Sequence, residues 1–223
     1  VGVKNILKDL KDNEPIILDG EKGILIKNPK LSTINYYKKK IEDQKNVDKK
    51  LNFLRKKTPL TSDNIRVRVE ANIDNSDEAK EAMKIGIDGI GLLRSEYMFM
   101  DKKRMPSEKE QFNFIKKTLN HLKGKPLTIR TLDVGNDKKV PFIEKFLAKS
   151  PNPALGLRAI RLTLAFPKIF KRQISAILRA SKFGKIRIML PMVSNVSEIL
   201  EAKKLINDVS KELSFKKKDF NRR

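Results

Sequence analysis

The chain has 223 residues, 39% of them apolar, and 50 Lys+Arg against 27 Asp+Glu give a formal net charge of +23; that is enough apolar material for a core and the length of one or two domains. Cysteine is absent, which excludes disulfides, thiolate metal sites and thiol nucleophiles. No run approaches the roughly 20 apolar residues of a membrane span, and the start lacks the cationic and apolar regions of a signal peptide, so a soluble cytoplasmic protein is expected.

The positive charge suits nucleic acid or an anionic membrane surface. The lysines, however, are spread along nearly the whole chain with abundant Asn and Ile, which reads as compositional drift and not as a binding face. Val1 stands where a methionine would open a complete chain, so the numbering is expected to begin inside a longer one.

In residues 1–31 two β-rich runs, "EPIILDG" and "GILIKNP", flank Asp19-Gly20-Glu21-Lys22-Gly23, a hairpin pattern too small to be a domain. From Ser32 to Lys57 the apolar residues Ile34, Tyr37, Ile41, Val47, Leu51 and Leu54 keep a mostly helical spacing. Ser32 or Thr33 is the expected cap and Thr58-Pro59 the stop. A polar helix of this kind is expected to connect domains.

After residue 60 the rhythm changes. "NIRVRVEANI" alternates like a strand, "NSDEAKEAMKIG" reads as a helix capped by Asn75 or Ser76, and "IDGIGLL" is a second strand. "PSEKEQFNFIKKTLNHLKG" is a helix with Pro106 near its start and Gly124 near its end. "PLTIRTLDVG" is a strand, "LGLRAIRLTL" and "FPKIFKRQISAILRASKFG" are helical, "KIRIMLPM" is a strand and "SEILEAKKLINDVSKEL" a helix, before a basic tail. Strands alternating with helices imply parallel pairing. About four β/α units make either a small doubly wound sheet or half of an eight-stranded barrel, and both architectures bind ligands at the carboxyl ends of the strands. Neither a G-x-G-x-x-G turn nor a G-x-x-x-x-G-K-[ST] loop is present, which removes support for the nucleotide-binding versions.

Arg94 ends "GIGLL" and Arg130 ends "PLTI"; Arg158 follows the loop of "NPALGLRAIR". A guanidinium is permanently charged, and its planar fork fits phosphate or carboxylate bidentately. Arginines at one rim would hold a small polyanion. The duller alternative is that each pairs with a nearby carboxylate, Glu96 or Asp133, or faces water. Gly135 suits a tight loop; Asp133 and Asp137 are expected to orient an arginine rather than bind a metal, and Lys138 to be solvated. His121, the only histidine, falls near a helix end, where a protonated ring favours the dipole; no Ser/His/Asp set or G-x-S-x-G elbow accompanies it.

Four stretches, "GIGLLRSEYMFMDKKRMPSEKEQF", "TIRTLDVGNDK", "NPALGLRAIR" and "SAILRASKFGKIRIMLPMVS", together resemble enzyme I of the bacterial phosphoenolpyruvate-dependent sugar phosphotransferase system, over nearly the whole chain. Pyruvate phosphate dikinase and phosphoenolpyruvate synthase share the arginine-ended strands, but "MPSEKEQF" and "RTLDVG" are closer to enzyme I. The resemblance implies a (β/α)8 barrel that binds phosphoenolpyruvate (PEP) and magnesium, joined by a helical linker to a swivel domain whose histidine passes phosphate to a phosphocarrier protein. It implies homodimers for the full-length family. On this resemblance residues 1–31 are the last part of the swivel domain, 32–60 the linker, and 61–223 the N-terminal half of the barrel.

Carried over by motif, Arg94 and Arg130 match the arginines that grip PEP, and Arg158 matches a further arginine close to the phosphate. Asn136 stands in place of a usual glycine and Leu157 in place of an aromatic. The resemblance also implies that the phosphorylated histidine lies upstream of Val1, and that the magnesium ligands, an Asn-Asp pair, another arginine and an acid cysteine lie beyond Arg223. His121 is then not the phospho-acceptor, and a partial chain is expected to be inactive alone and, with two open sheet edges, prone to aggregate. Two other readings stay open: a non-catalytic basic module for nucleic acid, against which the missing aromatic-plus-basic stacking motifs and nucleic-acid fold signatures argue, and a half-barrel subunit completed by a second chain.

Overall fold

A computed structural model describes residues 6–100, 102–135, 140–144, 152, 156–216 and 218–221. The chain divides into two compact units, residues 1–57 and 58–223.

The first unit holds a short helix, α1 (Ile6–Asp9), the expected hairpin, β1 (Ile16–Asp19) with β2 (Ile24–Lys27), and α2 (Leu31–Asn52), which runs into a 3₁₀ turn at Phe53–Lys56. The two strands are antiparallel, with Ile16 opposite Lys27 and Asp19 opposite Ile24. Buried Asp19 fastens the turn: its Oδ1 accepts from the amides of Glu21 and Lys22 at 3.0 Å, and its Oδ2 accepts from the Tyr37 hydroxyl of α2 at 3.2 Å. Helix α2 has no buried residue. Its start differs from the expected cap. Lys30 occupies the cap position and provides no side-chain bond, so Ser32 and Thr33 lie inside the first turn.

The second unit contains β3 (Glu70–Ile73), α3 (Ser76–Ile85), β4 (Gly89–Arg94), a 3₁₀ turn at Ser95–Met98, α4 (Glu108–Leu122), β5 (Leu127–Arg130), α5 (Pro141–Glu144), α6 (Ala159–Ala165), α7 (Pro167–Ala180), β6 (Ile186–Met189) and α8 (Val196–Phe215). The strand expected over 64–73 is shorter than its alternation suggested. Ile65, Val67 and Val69 are exposed and carry only an isolated bridge, Leu60 to Arg66; pairing in register begins at Glu70. Helix starts follow the sequence closely. The Asn75 side chain accepts from the amides of Asp77 and Glu78, and Ser107 with Glu110 forms a capping box. Helix α3 ends on Gly86 at φ +89°, a left-handed position that favours glycine.

The four strands β3-β4-β5-β6 are parallel and adjacent in chain order. Helices α3, α4, α7 and α8 pack side by side in the same sequence, and their apolar residues join those of the strands in one core. It includes Ala79, Ile115, Leu119, Phe170, Ile174 and Val209 against Ile73, Ile90, Leu93, Leu127 and Ile129. A doubly wound sheet carries helices on both faces. Here one face is covered, and the alternate residues Glu70, Gly91, Thr128 and Arg187 fall on the other. Consecutive strand order with a single helical layer is consistent with an arc of a barrel.

Across the open face, Arg187 of β6 donates to both carboxylate oxygens of Glu70 on β3 at 2.7 and 2.8 Å, although two strands separate them. Gly91 on β4 makes room, since a Cβ there would come within 3.1 Å of the Glu70 Cβ. A second apolar cluster, Met98, Phe99, Leu132, Val134, Val140, Ile143, Leu162 and Ile169, is built from the segments that follow β4 and β5 and from α5 to α7. The tail is less free than its charge implied: Phe220 packs on the main core and the Asn221 amide donates to Ser181 Oγ at 2.9 Å.

Candidate active site at the strand ends

Arg94 and Arg130 are the last residues of β4 and β5, and they are register partners. Residues opposite one another on adjacent parallel strands share a face, so both side chains leave the sheet on the side away from α3, α4, α7 and α8, at its carboxyl rim. Leu93 and Ile129, the residues before them, are fully buried on the helix side and fix this alternation.

Each arginine has an acidic partner. Arg94 Nη1 donates to Asp74 Oδ1 at 3.1 Å, from the segment just after β3. Arg130 donates from Nη2 to Glu96 Oε1 and places Nη1 3.3 Å from Asp133 Oδ2. Arg158, at the cap position of α6, donates from Nη2 to Asp133 Oδ1 at 3.0 Å. The sequence named Glu96 and Asp133 as partners, and both serve; it did not name Asp74, which lies twenty residues before Arg94 and becomes its neighbour through the β3–β4 pairing. Asp133 thus joins the second and third arginines, as expected of an orienting carboxylate. Asn136, Asp137 and Lys138 lie outside the described residues, as do Pro153, Ala154 and Leu155 on the approach to Arg158.

Burial grades the three guanidinium groups. The side chain of Arg94 is 42% exposed, that of Arg130 20% and that of Arg158 12%. Glu96 is 1% exposed. A buried carboxylate of this kind is stable as an anion only when paired, so Glu96 and Arg130 hold each other in place. Arg94 spends only Nη1 on a described partner, and the buried Nε of Arg130 has none among the described residues. A guanidinium offers five N–H donors, so the part-exposed Arg94 keeps donors for an anion after Asp74 has been served.

The loops behind the rim are fixed by their own chemistry. After Arg94 the chain passes through a 3₁₀ turn to Phe99, which is fully buried. It then reaches the "MPSEKEQF" helix start. There Ser107 Oγ accepts from the Glu110 amide at 3.2 Å, and Arg104 grips the Glu110 carboxylate with two bonds of 2.9 Å. The Arg104 bonds first, then the Ser107 hydroxyl and amide that donate to Glu110 Oε2 at 2.7 Å, pull the Glu110 carboxyl down to about 2. After Arg130 the ladder continues for one residue, with the Thr131 amide donating to Met189 O at 2.9 Å. On α6, Ala159 sits at φ +50° although it is fully buried and not glycine. Its amide donates to Val134 O at 3.2 Å, which ties the Arg158 turn to the Arg130 loop.

His121 occupies the last turn of α4, the helix that leads back from the rim to the start of β5. Among the described residues no three acidic or imidazole side chains cluster to hold a metal. No helix among them is long and apolar enough to cross a membrane.

Residues 48–223 match the family described as PEP-utilising enzyme, PEP-binding domain. The chain belongs to the PEP-utilising enzymes. It is 41% identical over 206 residues to a phosphoenolpyruvate-protein phosphotransferase of Staphylococcus epidermidis, covering 92% of this chain and 36% of that one. A relative of the same name from Staphylococcus carnosus is 39% identical over 208 residues (93% and 36%), and one from Priestia megaterium is 36% identical over 206 residues (92% and 36%). The resemblance read from the four stretches is borne out. The chain spans about a third of the length of these curated relatives, and the PEP-utilising match covers the whole arc that carries Arg94, Arg130 and Arg158.

Proposed function

We propose that this chain supplies the PEP-gripping part of a phosphoenolpyruvate-protein phosphotransferase. In this reading 61–223 form the first half of a (β/α)8 barrel, 32–60 the linker, and 1–31 the end of the swivel domain. The whole cytoplasmic enzyme passes phosphate from PEP through a histidine to a phosphocarrier protein in sugar uptake. The observation that carries the proposal is the register pairing of Arg94 with Arg130 at the ends of adjacent parallel strands, next to Arg158 through the shared Asp133.

The roles follow from burial. Arg94, the most exposed and the least committed, meets the ligand first. Arg130 and Arg158, held by Glu96 and Asp133, form a preset positive wall that needs no reorganisation as negative charge shifts toward the leaving oxygen. The acids lower the net charge of the rim, so recognition depends on directed N–H donors more than on bulk attraction.

Titration of PEP into the chain, followed by calorimetry, tests this. Saturable binding that disappears in Arg94→Ala is the expected result; an unsaturable response, or one indifferent to Arg94, rejects it. The isolated chain is expected to release no pyruvate from PEP and magnesium, and turnover rejects that expectation.

A second reading, that another polypeptide completes the sheet, is favoured by apolar side chains at both edges. Ile65, Val67 and Val69 precede β3, and Met189, Met192 and Val193 end or follow β6; all are exposed. Light scattering at increasing concentration tests it: a constant monomer mass opposes it.

A further inference from the structure

The two rim arginines sit on different strands, followed by different loops, and one side chain from a third element touches both loops. Gln173 lies in the second turn of α7 and is fully buried. Its Nε2 donates to Ser95 Oγ at 2.9 Å, and its Oε1 accepts from the Leu132 amide at 2.9 Å. Ser95 directly follows Arg94, and Leu132 lies two residues after Arg130; both are fully buried. We propose that Gln173 is a positioning residue for the PEP grip, a buried amide clamp that fixes the spacing of Arg94 and Arg130 by holding the loops behind them together. This inference rests on the reading of the rim as the PEP site.

The chemistry supports a specific role for an amide here. One planar group with a donor at one corner and an acceptor at the other satisfies a hydroxyl and a backbone N–H at once. The Ser95 hydroxyl and the Leu132 amide have no water to fall back on, so losing either bond leaves a buried polar group unpaired. An apolar side chain of similar size fills the volume but releases both loops. The Glu96–Arg130 pair already joins the same two segments at the next residue along. Gln173 adds a second point of attachment anchored in the main core, since its helix neighbours Phe170, Ile174 and Ile177 all belong to it. Two attachments define an orientation where one permits a swing.

The test uses the whole chain in three forms: unsubstituted, Gln173→Leu, and the milder Ser95→Ala, which removes one bond only. The first readout needs no ligand. The arginine Nε–H resonances of Arg94 and Arg130, assigned through Arg→Lys variants, are expected to shift or broaden in Gln173→Leu and to a smaller extent in Ser95→Ala, while the resonance of the distant Arg66 stays in place. The second readout is PEP titration, with affinity expected to fall at least tenfold in Gln173→Leu. If both resonances and affinity keep their unsubstituted values in either folded variant, Gln173 is merely a core residue and the proposal fails. Should the unsubstituted chain bind no PEP, the functional reading fails, and the resonances still decide whether Gln173 sets the arginine geometry. Should Gln173→Leu not fold, Ser95→Ala carries both measurements.

Discussion

The rim at the strand ends and the outer surface of the helices use the same ion-pair chemistry to different effect. On the helices Lys84 pairs with Glu81 and Lys117 with Asp77, and just after α7 Lys182 pairs with Asp219 of the tail, every partner more than half exposed. At the rim Glu96 is 1% exposed, and Arg158 and Asp133 are 12% and 11%. Water screens the first set and each pair adds little; the second set has exchanged water for its partners, so each member depends on the other. The formal charge of +23 therefore says little about the rim, where the arginines are nearly balanced by acids.

The largest effect is expected at the rim. Arg130→Ala removes the guanidinium that both Glu96 and Asp133 face and should lower stability by about 3–5 kcal/mol, read from urea unfolding. A loss below about 1 kcal/mol would erase the distinction between the two sets. The intermediate case is the part-exposed tie between Arg187 and Glu70, whose side chains are 42% and 17% exposed. A double-mutant cycle of Glu70→Ala and Arg187→Ala should return a coupling of about 1 kcal/mol, and zero coupling would assign it to the surface class.

Close in size is the cap of α4. Ser107→Ala should cost about 1 kcal/mol. Its partner Glu110 gives this helix start a pH signature. Folding depresses that carboxyl from 4.5 to about 2, so its contribution is present in full above the unfolded value and is lost as pH falls from about 4.5 through 2. In Glu110→Gln the acid limb of the stability profile should flatten across that window; an unchanged limb contradicts the assignment. Smallest is Lys84→Ala, expected within about 0.5 kcal/mol of the parent by thermal unfolding.

Legibility from sequence followed a physical divide. The start of α3 was readable because a cap is local, Asn75 acting on amides two and three residues away, and Pro106 marked the start of α4; the start of α2 was misread because Lys30 caps it without any side-chain bond. Strands were readable only as candidates. "IRVRV" at 65–69 and "IRIM" at 186–189 share the same alternation, yet the second is β6 and the first is not a strand. Ile186 and Ile188 pack against the core and pair with Leu127 and Ile129; Ile65 and Val67 meet no such neighbour and stay exposed. Alternation states which residues would share a face, and a partner strand decides whether the face exists. The same divide runs through the site. Arg94 and Arg130 stood out because each ends an apolar strand, and Glu96 and Asp133 because they lie close by in the chain. Asp74 and Gln173 were invisible, since they reach their partners from 20 and 78 residues away.

The bar formed by Arg187 and Glu70 crosses the sheet below the arginine rim. Arg187 stands opposite Thr128, two residues below Arg130, which at the rise of a strand is roughly 7 Å beneath the guanidinium. The hollow side of the sheet is thus divided into an open upper storey and a floor of crossed charges. On the proposed reading of the rim as the PEP site, a ligand reaching both arginines would lie above that floor, so the contact that braces the sheet would also set its depth.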